Sequence, residues 1–196
     1  MNNNGKKIVL ASASPRRREL MDRTGTEDTV VPAEVDETVD LFDPAEVVME
    51  LSERKAVTVL IDHPDSVVIG ADTVVAIDGR ILGKPRDREE AFEMLRELSG
   101  RVHQVYTGVS VVFNDETGAH RERFYEMTEV EMYDNPEELL EWYVDTGEPM
   151  DKAGAYGIQG KGTLLVRAVR GNYDNVVGLP VAELMRRLSS LLYGVG

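Results

Sequence analysis

The chain has 196 residues, with 22 Lys and Arg against 36 Asp and Glu, a formal net charge of −14. That length suits one domain, or one domain with two lobes, and 42% hydrophobic with 30% charged residues fits a globular chain and not a disordered one. The acidic surplus argues against a general binder of nucleic acid or of an anionic membrane surface, and the absence of cysteine excludes disulfides, cysteine-ligated zinc and thiol catalysis.

A small anionic substrate stays compatible with this charge if cations gather locally; the basic residues are 16 Arg and 6 Lys. The N-terminus, Met1 to Lys7, is polar, and the apolar run behind it is too short for a signal segment. No stretch approaches about 18 apolar residues, so the expected compartment is the cytoplasm.

Ile8-Val9-Leu10-Ala11 reads as a buried strand. Ser14-Pro15 then starts a helix, with Ser14 as its cap, running towards Gly25. Residues 30–39 are irregular or short strand. Asp43-Pro44 repeats the cap-then-proline signal and opens a helix to about Ile61, closed by His63-Pro64. Val67 to Ile77 alternates apolar runs around a polar break at Asp72-Thr73, and Asp78-Gly79 marks a hairpin turn. Asp87 and Glu90 resemble a capping box, and Ala91, Met94, Leu95 and Leu98 line one helical face up to Gly100. Val102–Phe113 and Phe124–Met132 read as antiparallel strands joined through the turn-rich 114–118. Asn135-Pro136 with Glu138 caps a helix to about Thr146. Residues 151–162 read as a glycine-rich loop, 163–169 as a strand and 180–192 as a closing helix. Strands and helices alternate with no linker or repeat, which favours one α/β domain with a mixed sheet.

The most informative segment is Ser12-Ala13-Ser14-Pro15-Arg16-Arg17-Arg18. It sets three arginines in the first turn of a helix, where the dipole disfavours cations by about 0.3–1 kcal/mol each. A bound polyphosphate reverses that sign, because free N–H groups, the dipole and the guanidinium forks then address one anion. Without a ligand the segment is a slightly frustrated helix start.

Asp72 within Gly70-Ala71-Asp72-Thr73-Val74-Val75 is an acid among apolar residues, costly to bury unless paired. Metal coordination or general-base work would explain it; so would a strand break with local backbone hydrogen bonds. Glu34-Val35-Asp36-Glu37 clusters carboxylates that could ligate magnesium, and taken alone reads as a solvated acidic loop. Lys55, mid-helix, reads alone as an exposed side chain. Gly83-Lys84-Pro85 lacks the glycine spacing and the Ser/Thr of a P-loop. The glycines of 151–160 permit close backbone approach to a ligand, and Gln159 offers a donor and an acceptor suited to a base edge. His63, His103 and His120 show no zinc-site spacing and no tie to a nucleophile; His103 reads as a hydrogen-bonded structural residue.

Together these segments resemble the Maf family of nucleotide pyrophosphatases. The matching runs are Leu-Ala-Ser-Ala-Ser-Pro-Arg-Arg-Arg-Glu-Leu at 10–20, Val-Asp-Glu at 35–37, Glu-Arg-Lys-Ala at 53–56, Gly-Ala-Asp-Thr-Val-Val at 70–75 and Gly-Lys-Pro-Arg-Asp at 83–87. Leu-Ser-Gly-Arg-Val-His-Gln-Val-Tyr-Thr-Gly-Val at 98–109, Asp-Lys-Ala-Gly-Ala-Tyr-Gly-Ile-Gln-Gly at 151–160 and Val-Val-Gly-Leu-Pro at 176–180 follow in family order. The resemblance implies a single Maf-like domain over 1–196, with a second lobe built around 102–146. It implies an elongated α/β fold with a mixed sheet flanked by helices, two lobes and a central cleft, similar to the inosine-triphosphate pyrophosphatases, and a homodimer.

The implied activity is hydrolysis of a nucleoside triphosphate to the monophosphate and pyrophosphate, assisted by Mg²⁺ or Mn²⁺. The late motif looks like the branch acting on dTTP and UTP or their modified forms. Alternatives are a 7-methyl-GTP or inosine/xanthosine triphosphate pyrophosphatase, or a nucleotide-binding regulator of septum formation. By matching positions, Asp72 is the expected proton acceptor, and Arg16, Thr73 and Gln159 set specificity. Ser12, Arg17, Glu37, Lys55 and Lys84 are expected to line the phosphate and metal site, with Glu37 and Asp72 as metal ligands.

Overall fold

The computed structural model describes residues 6–193. Strand β1 (Lys7–Ala11) leads into helix α1 (Pro15–Asp22), then strand β2 (Asp28–Val30) and helix α2 (Pro44–Asp62). Strand β3 (Ser66–Ile77) turns into β4 (Arg80–Leu82), followed by helix α3 (Arg88–Leu98). Strands β5 (Val102–Asp115) and β6 (Gly118–Met132) form a long hairpin, and helix α4 (Glu137–Asp145) follows. Short 3₁₀ turns cover 148–155 and 160–164 before strand β7 (Val166–Arg170), helix α5 (Tyr173–Val177) and helix α6 (Val181–Tyr193).

The strands form one seven-stranded sheet in the order β2-β1-β3-β5-β6-β7, with β4 also paired to β3. β1 lies parallel to β2 and β3, and the other pairings are antiparallel, so the sheet is mixed, as expected.

The caps read from sequence form at three helices. Ser14 Oγ accepts from Arg17 N, Asp43 Oδ1 from Ala45 N and Glu46 N, and Asp87 Oδ1 from Glu90 N. The Glu90 carboxylate completes no capping box, because it accepts from Arg86 instead. Asn135 does not cap α4 either: its amide donates to Tyr133 O and Leu165 O, and Pro136 takes the cap position. The 3₁₀ turn at 160–164 takes in residues 163 and 164, where a strand was expected, and the strand starts at Val166. β6 begins at Gly118, six residues before the expected Phe124, because main-chain pairing with β5 continues through the polar His120–Arg123.

β3 is buried along nearly its whole length, with no break at Asp72. Side chains alternate between its faces. On one face Val67, Ile69 and Ala71 join a core with Leu20, Val109 and Leu184, while Val75 and Ile77 join a second core with Leu95, Leu98 and Tyr143. Thr73 lies between these cores. On the other face Val68 packs with Ala56 and Val59, and Val74 packs with Val47 and Leu51. Gly70 and Asp72 lie between them. The polar pair therefore occupies the junction of the apolar clusters on both faces.

Two glycines bring α2 down onto this strand. A Cβ on Gly70 would stand 2.1 Å from Ser52 O, and one on Gly108 would stand 2.3 Å from Val48 O. Only hydrogen side chains let the α2 backbone approach so closely. Gly108 is also the register partner of Asp72. The helix residue one turn beyond Ser52 is thereby delivered above the sheet beside Asp72, and that residue is Lys55.

Candidate active site

β1 stays in register with β3 only as far as Ala11 opposite Gly70, and β4 pairs from Val75 onward. Among the described residues, 71–74 have no strand partner on that side. A cavity of about 690 Å³ opens at this gap, and side chains from both faces of β3 reach it. All nine residues singled out from the sequence line it: Ser12, Arg16, Arg17, Glu37, Lys55, Asp72, Thr73, Lys84 and Gln159. Arg18, the third arginine of the opening motif, is exposed and is not part of the lining.

On the α2 face, Lys55 Nζ donates to Asp72 Oδ1 at 2.6 Å and to Glu37 Oε1 at 2.7 Å. Lys55 and Asp72 are nearly buried, at 12% side-chain exposure each, while Glu37 is 58% exposed. The hydrogen bond from Lys55 holds the Glu37 carboxyl below the usual range, outweighing the opposing effect of its partial burial. Lys55 is thus no free surface lysine. It joins an acid from β3 to an acid from the irregular segment after β2. Arg54 steadies that segment by donating to the carbonyls of Asp36 and Thr38 at 3.1 and 2.9 Å.

On the opposite face, Arg17 donates Nε to Gly178 O at 2.8 Å, Nη1 to Ser12 Oγ at 3.3 Å and Nη2 to Thr73 Oγ1 at 2.9 Å. All three acceptors are neutral. Three of its five N–H groups are used and two are left. Burial lowers the guanidinium pKa, and a guanidinium keeps its charge inside proteins. The hydroxyl chain behind it runs in one direction. Thr107 Oγ1 donates to Asn175 O, so Thr73 must give its proton to Thr107 and accept from Arg17. Thr73 holds Arg17 in place with its hydroxyl engaged on both sides.

Arg16 pairs with Asp151 at 3.0 Å, and Asp151 pairs in turn with Lys152 at 2.7 Å. Lys84 is exposed at the rim. Gln159 is half-buried, and its side chain makes no hydrogen bond among the described residues. Five cations and three carboxylates line the cavity, a local positive excess in a chain of net charge −14.

Two lining features were not assigned from sequence. Asp151 and Lys152 head the glycine-rich motif, and their opposite charges beside Arg16 are the signal that marks them. The apolar wall of Val39, Leu41, Val47 and Leu51 carries no such signal, since helix and loop hydrophobes read as ordinary core. His103, by contrast, is the structural residue expected. It is fully buried with Nε2 bonded to Tyr156 Oη at 2.7 Å, and burial lowers its pKa to about 4, so it is neutral at pH 7.

Among the described residues no group of three or more His, Asp or Glu side chains gathers to hold a metal. Glu37 and Asp72 form a two-carboxylate donor set, and Lys55 competes for their oxygens. Such a set suits Mg²⁺, which commonly takes one or two carboxylates and completes its shell with water and substrate phosphates.

Curated proteins resemble this chain over most of its length. A dTTP/UTP pyrophosphatase of Agathobacter rectalis is 49% identical over 198 residues, covering 94% of this chain and 97% of that protein. One of Bacillus cytotoxicus is 50% identical over 184 residues, covering 93% and 94%. Among solved structures, the Ham1 protein of Staphylococcus aureus overlaps 66% of this chain and 73% of that one, with a TM-score of 0.44 and 18% identity. The family model described as Maf-like protein matches residues 7–191, and the chain belongs to the Maf family.

Proposed function

We propose that the protein hydrolyses dTTP and UTP, or their modified forms, to the nucleoside monophosphate and pyrophosphate. The observation that carries this reading is the convergence of Ser12, Arg16, Arg17, Glu37, Lys55, Asp72, Thr73, Lys84 and Gln159 on one cavity with excess positive charge. The relatives' names supply the substrate pair.

Arg17, with two N–H groups to spare and no carboxylate partner among the described residues, holds the triphosphate together with Arg16, Lys84 and the N-terminus of α1. Asp72, fixed by Lys55, orients a water and takes its proton as it attacks the α-phosphorus. Pyrophosphate leaves as the second product. The cations stabilise the negative charge that spreads over the phosphoryl oxygens, so most of the acceleration is positioning and electrostatics. Gln159 reads the carbonyl and N3–H edge of a pyrimidine. Glu37 and Asp72 would hold a divalent cation, Mg²⁺ or Mn²⁺, which supplies Lewis-acid polarisation of phosphate oxygens when bound. The same reading takes the protein as a cytoplasmic homodimer acting on free nucleotides and not on nucleic acid.

The test is turnover on a panel of dTTP, UTP, CTP, 7-methyl-GTP and ITP, with products identified. Monophosphate and pyrophosphate from dTTP and UTP are expected. Release of orthophosphate and a diphosphate would overturn the cleavage site. Preference for 7-methyl-GTP or ITP would overturn the base assignment, and nucleotide binding without turnover would indicate a regulator.

A further inference from the structure

Gln159 lies on a loop that closes on itself. Residues 157 and 162 meet so tightly that a Cβ on Gly162 would stand 2.1 Å from Gly157 O and 2.7 Å from Tyr143 Oη. Such a small loop, with Gln159 at its third position, has few contacts of its own to fix the side chain it presents. The fixing comes from outside. Tyr143, fully buried in the core below, accepts from Gly157 N at 3.1 Å and donates to Glu148 Oε1 at 3.0 Å. Glu148 accepts from Gly162 N on the same oxygen at 3.1 Å, and its Oε2 accepts from Lys161 N at 3.1 Å. One carboxylate and one phenol therefore grip the loop at both of its feet through main-chain N–H groups. Burial pushes the Glu148 carboxyl up, and the N–H groups of Lys161 and Gly162, the Tyr143 hydroxyl and the Lys152 charge together more than reverse it, so the grip is made by an anion at neutral pH.

We propose that Glu148 and Tyr143 are positioning residues for base discrimination: they hold the 157–162 loop so that Gln159 meets the base edge in one register. Neither residue lines the cavity, so both act through the loop. The inference rests on the pyrimidine reading of Gln159 given above. The carboxylate and phenol bonds of the grip do not themselves run to the phosphate side of the site, although the Lys152 stem packs on Gly157. Lys152, which leads to Asp151 and Arg16, bonds the main-chain carbonyl of Glu148 and not its carboxylate. A side-chain change at position 148 leaves that link in place.

The test uses the full chain and two substrates differing only at the edge that Gln159 would read, UTP and CTP. The readout is the ratio of their kcat/KM values, with competitive inhibition by inorganic tripolyphosphate as the control for the phosphate side. Glu148→Gln keeps the shape but turns an N–H₂ towards a backbone donor, and Tyr143→Phe removes one hydroxyl from a buried ring. Each is expected to lower the UTP/CTP ratio about tenfold, the effect of losing one or two such hydrogen bonds, with tripolyphosphate inhibition changed less than about twofold. Glu148→Asp is expected to recover part of the ratio. A folded variant that keeps the wild-type ratio overturns the proposal. So does a parallel loss of ratio and tripolyphosphate inhibition, which marks a merely structural role. Where Glu148→Gln fails to fold, Tyr143→Phe decides. Gln159→Ala separates the two levels: if it keeps the ratio, the base-reading assignment falls and the grip's role with it; if it abolishes the ratio while both grip variants retain it, only the grip is wrong.

Discussion

Two cations meet β3 on opposite faces, and the protein treats them differently. Lys55 faces two carboxylates, at 2.6 and 2.7 Å. Arg17 is surrounded by a carbonyl and two hydroxyls. The first charge is neutralised inside the protein, and its work is to hold acids in place. The second is solvated by neutral oxygens, which fix its plane and leave its field directed at whatever enters the cavity. A partly buried cation without a paired acid is a cost in a protein selected for stability alone. Its presence beside a helix N-terminus is coherent once an anionic ligand is part of the folded state.

The largest effect that could break this contrast is at the acid Lys55 holds. Asp72→Asn should keep the fold and lower turnover of dTTP and UTP by about 10²–10⁴-fold; a folded variant with near-normal turnover removes Asp72 from the reaction. Next, the two cations should fail in different ways. Lys55→Met leaves Asp72 without its partner and should lower the thermal midpoint. The cost of such a loss is about 3–5 kcal/mol at full burial, and less at this partly open site. Adding Asp72→Asn should recover part of it. Arg17→Met should instead weaken tripolyphosphate inhibition by roughly 10- to 100-fold, the worth of one charge-assisted contact, with a smaller thermal shift than Lys55→Met. Equal thermal losses would erase the distinction.

The smallest effect is at Glu37. Its folded pKa lies below the ordinary value, so its contribution to stability is present above the ordinary carboxylate range and is lost as pH falls through the folded value. Glu37→Gln should flatten part of the acid limb of a stability-against-pH curve. The carboxylate is more than half exposed, so solvent screening keeps the change slight.

The parts legible in the sequence share a trait: they are fixed by neighbours in the chain. Ser14-Pro15, Asp43-Pro44 and Asp87 announce helices because a cap is a local hydrogen bond. The anion-binding sense of Arg16 and Arg17 is legible because a cation in a first turn contradicts a local rule. The short β4 and α5 were too brief to carry a period, although Asn172 does cap α5. The role of Lys55 was illegible on its own, since nothing near it in sequence says that two distant glycines lower α2 onto β3. The same holds for Glu148 and Tyr143, whose contacts with residues 157–162 arise only when α4 and the following turns are in place.

The interrupted pairing along β3 has one more consequence. A bare strand edge is a template on which another chain can add a strand and begin an aggregate, and strands in globular proteins usually run to about 5–6 residues. The opening beside residues 71–74 is shorter than that, with β1 closing one end and β4 the other. Arg17 and Lys55 stand on its two sides. A gap of this length is too short to seat an added strand of ordinary length. The protein thus opens the middle of its central sheet to a cavity without offering other chains a strand-length edge.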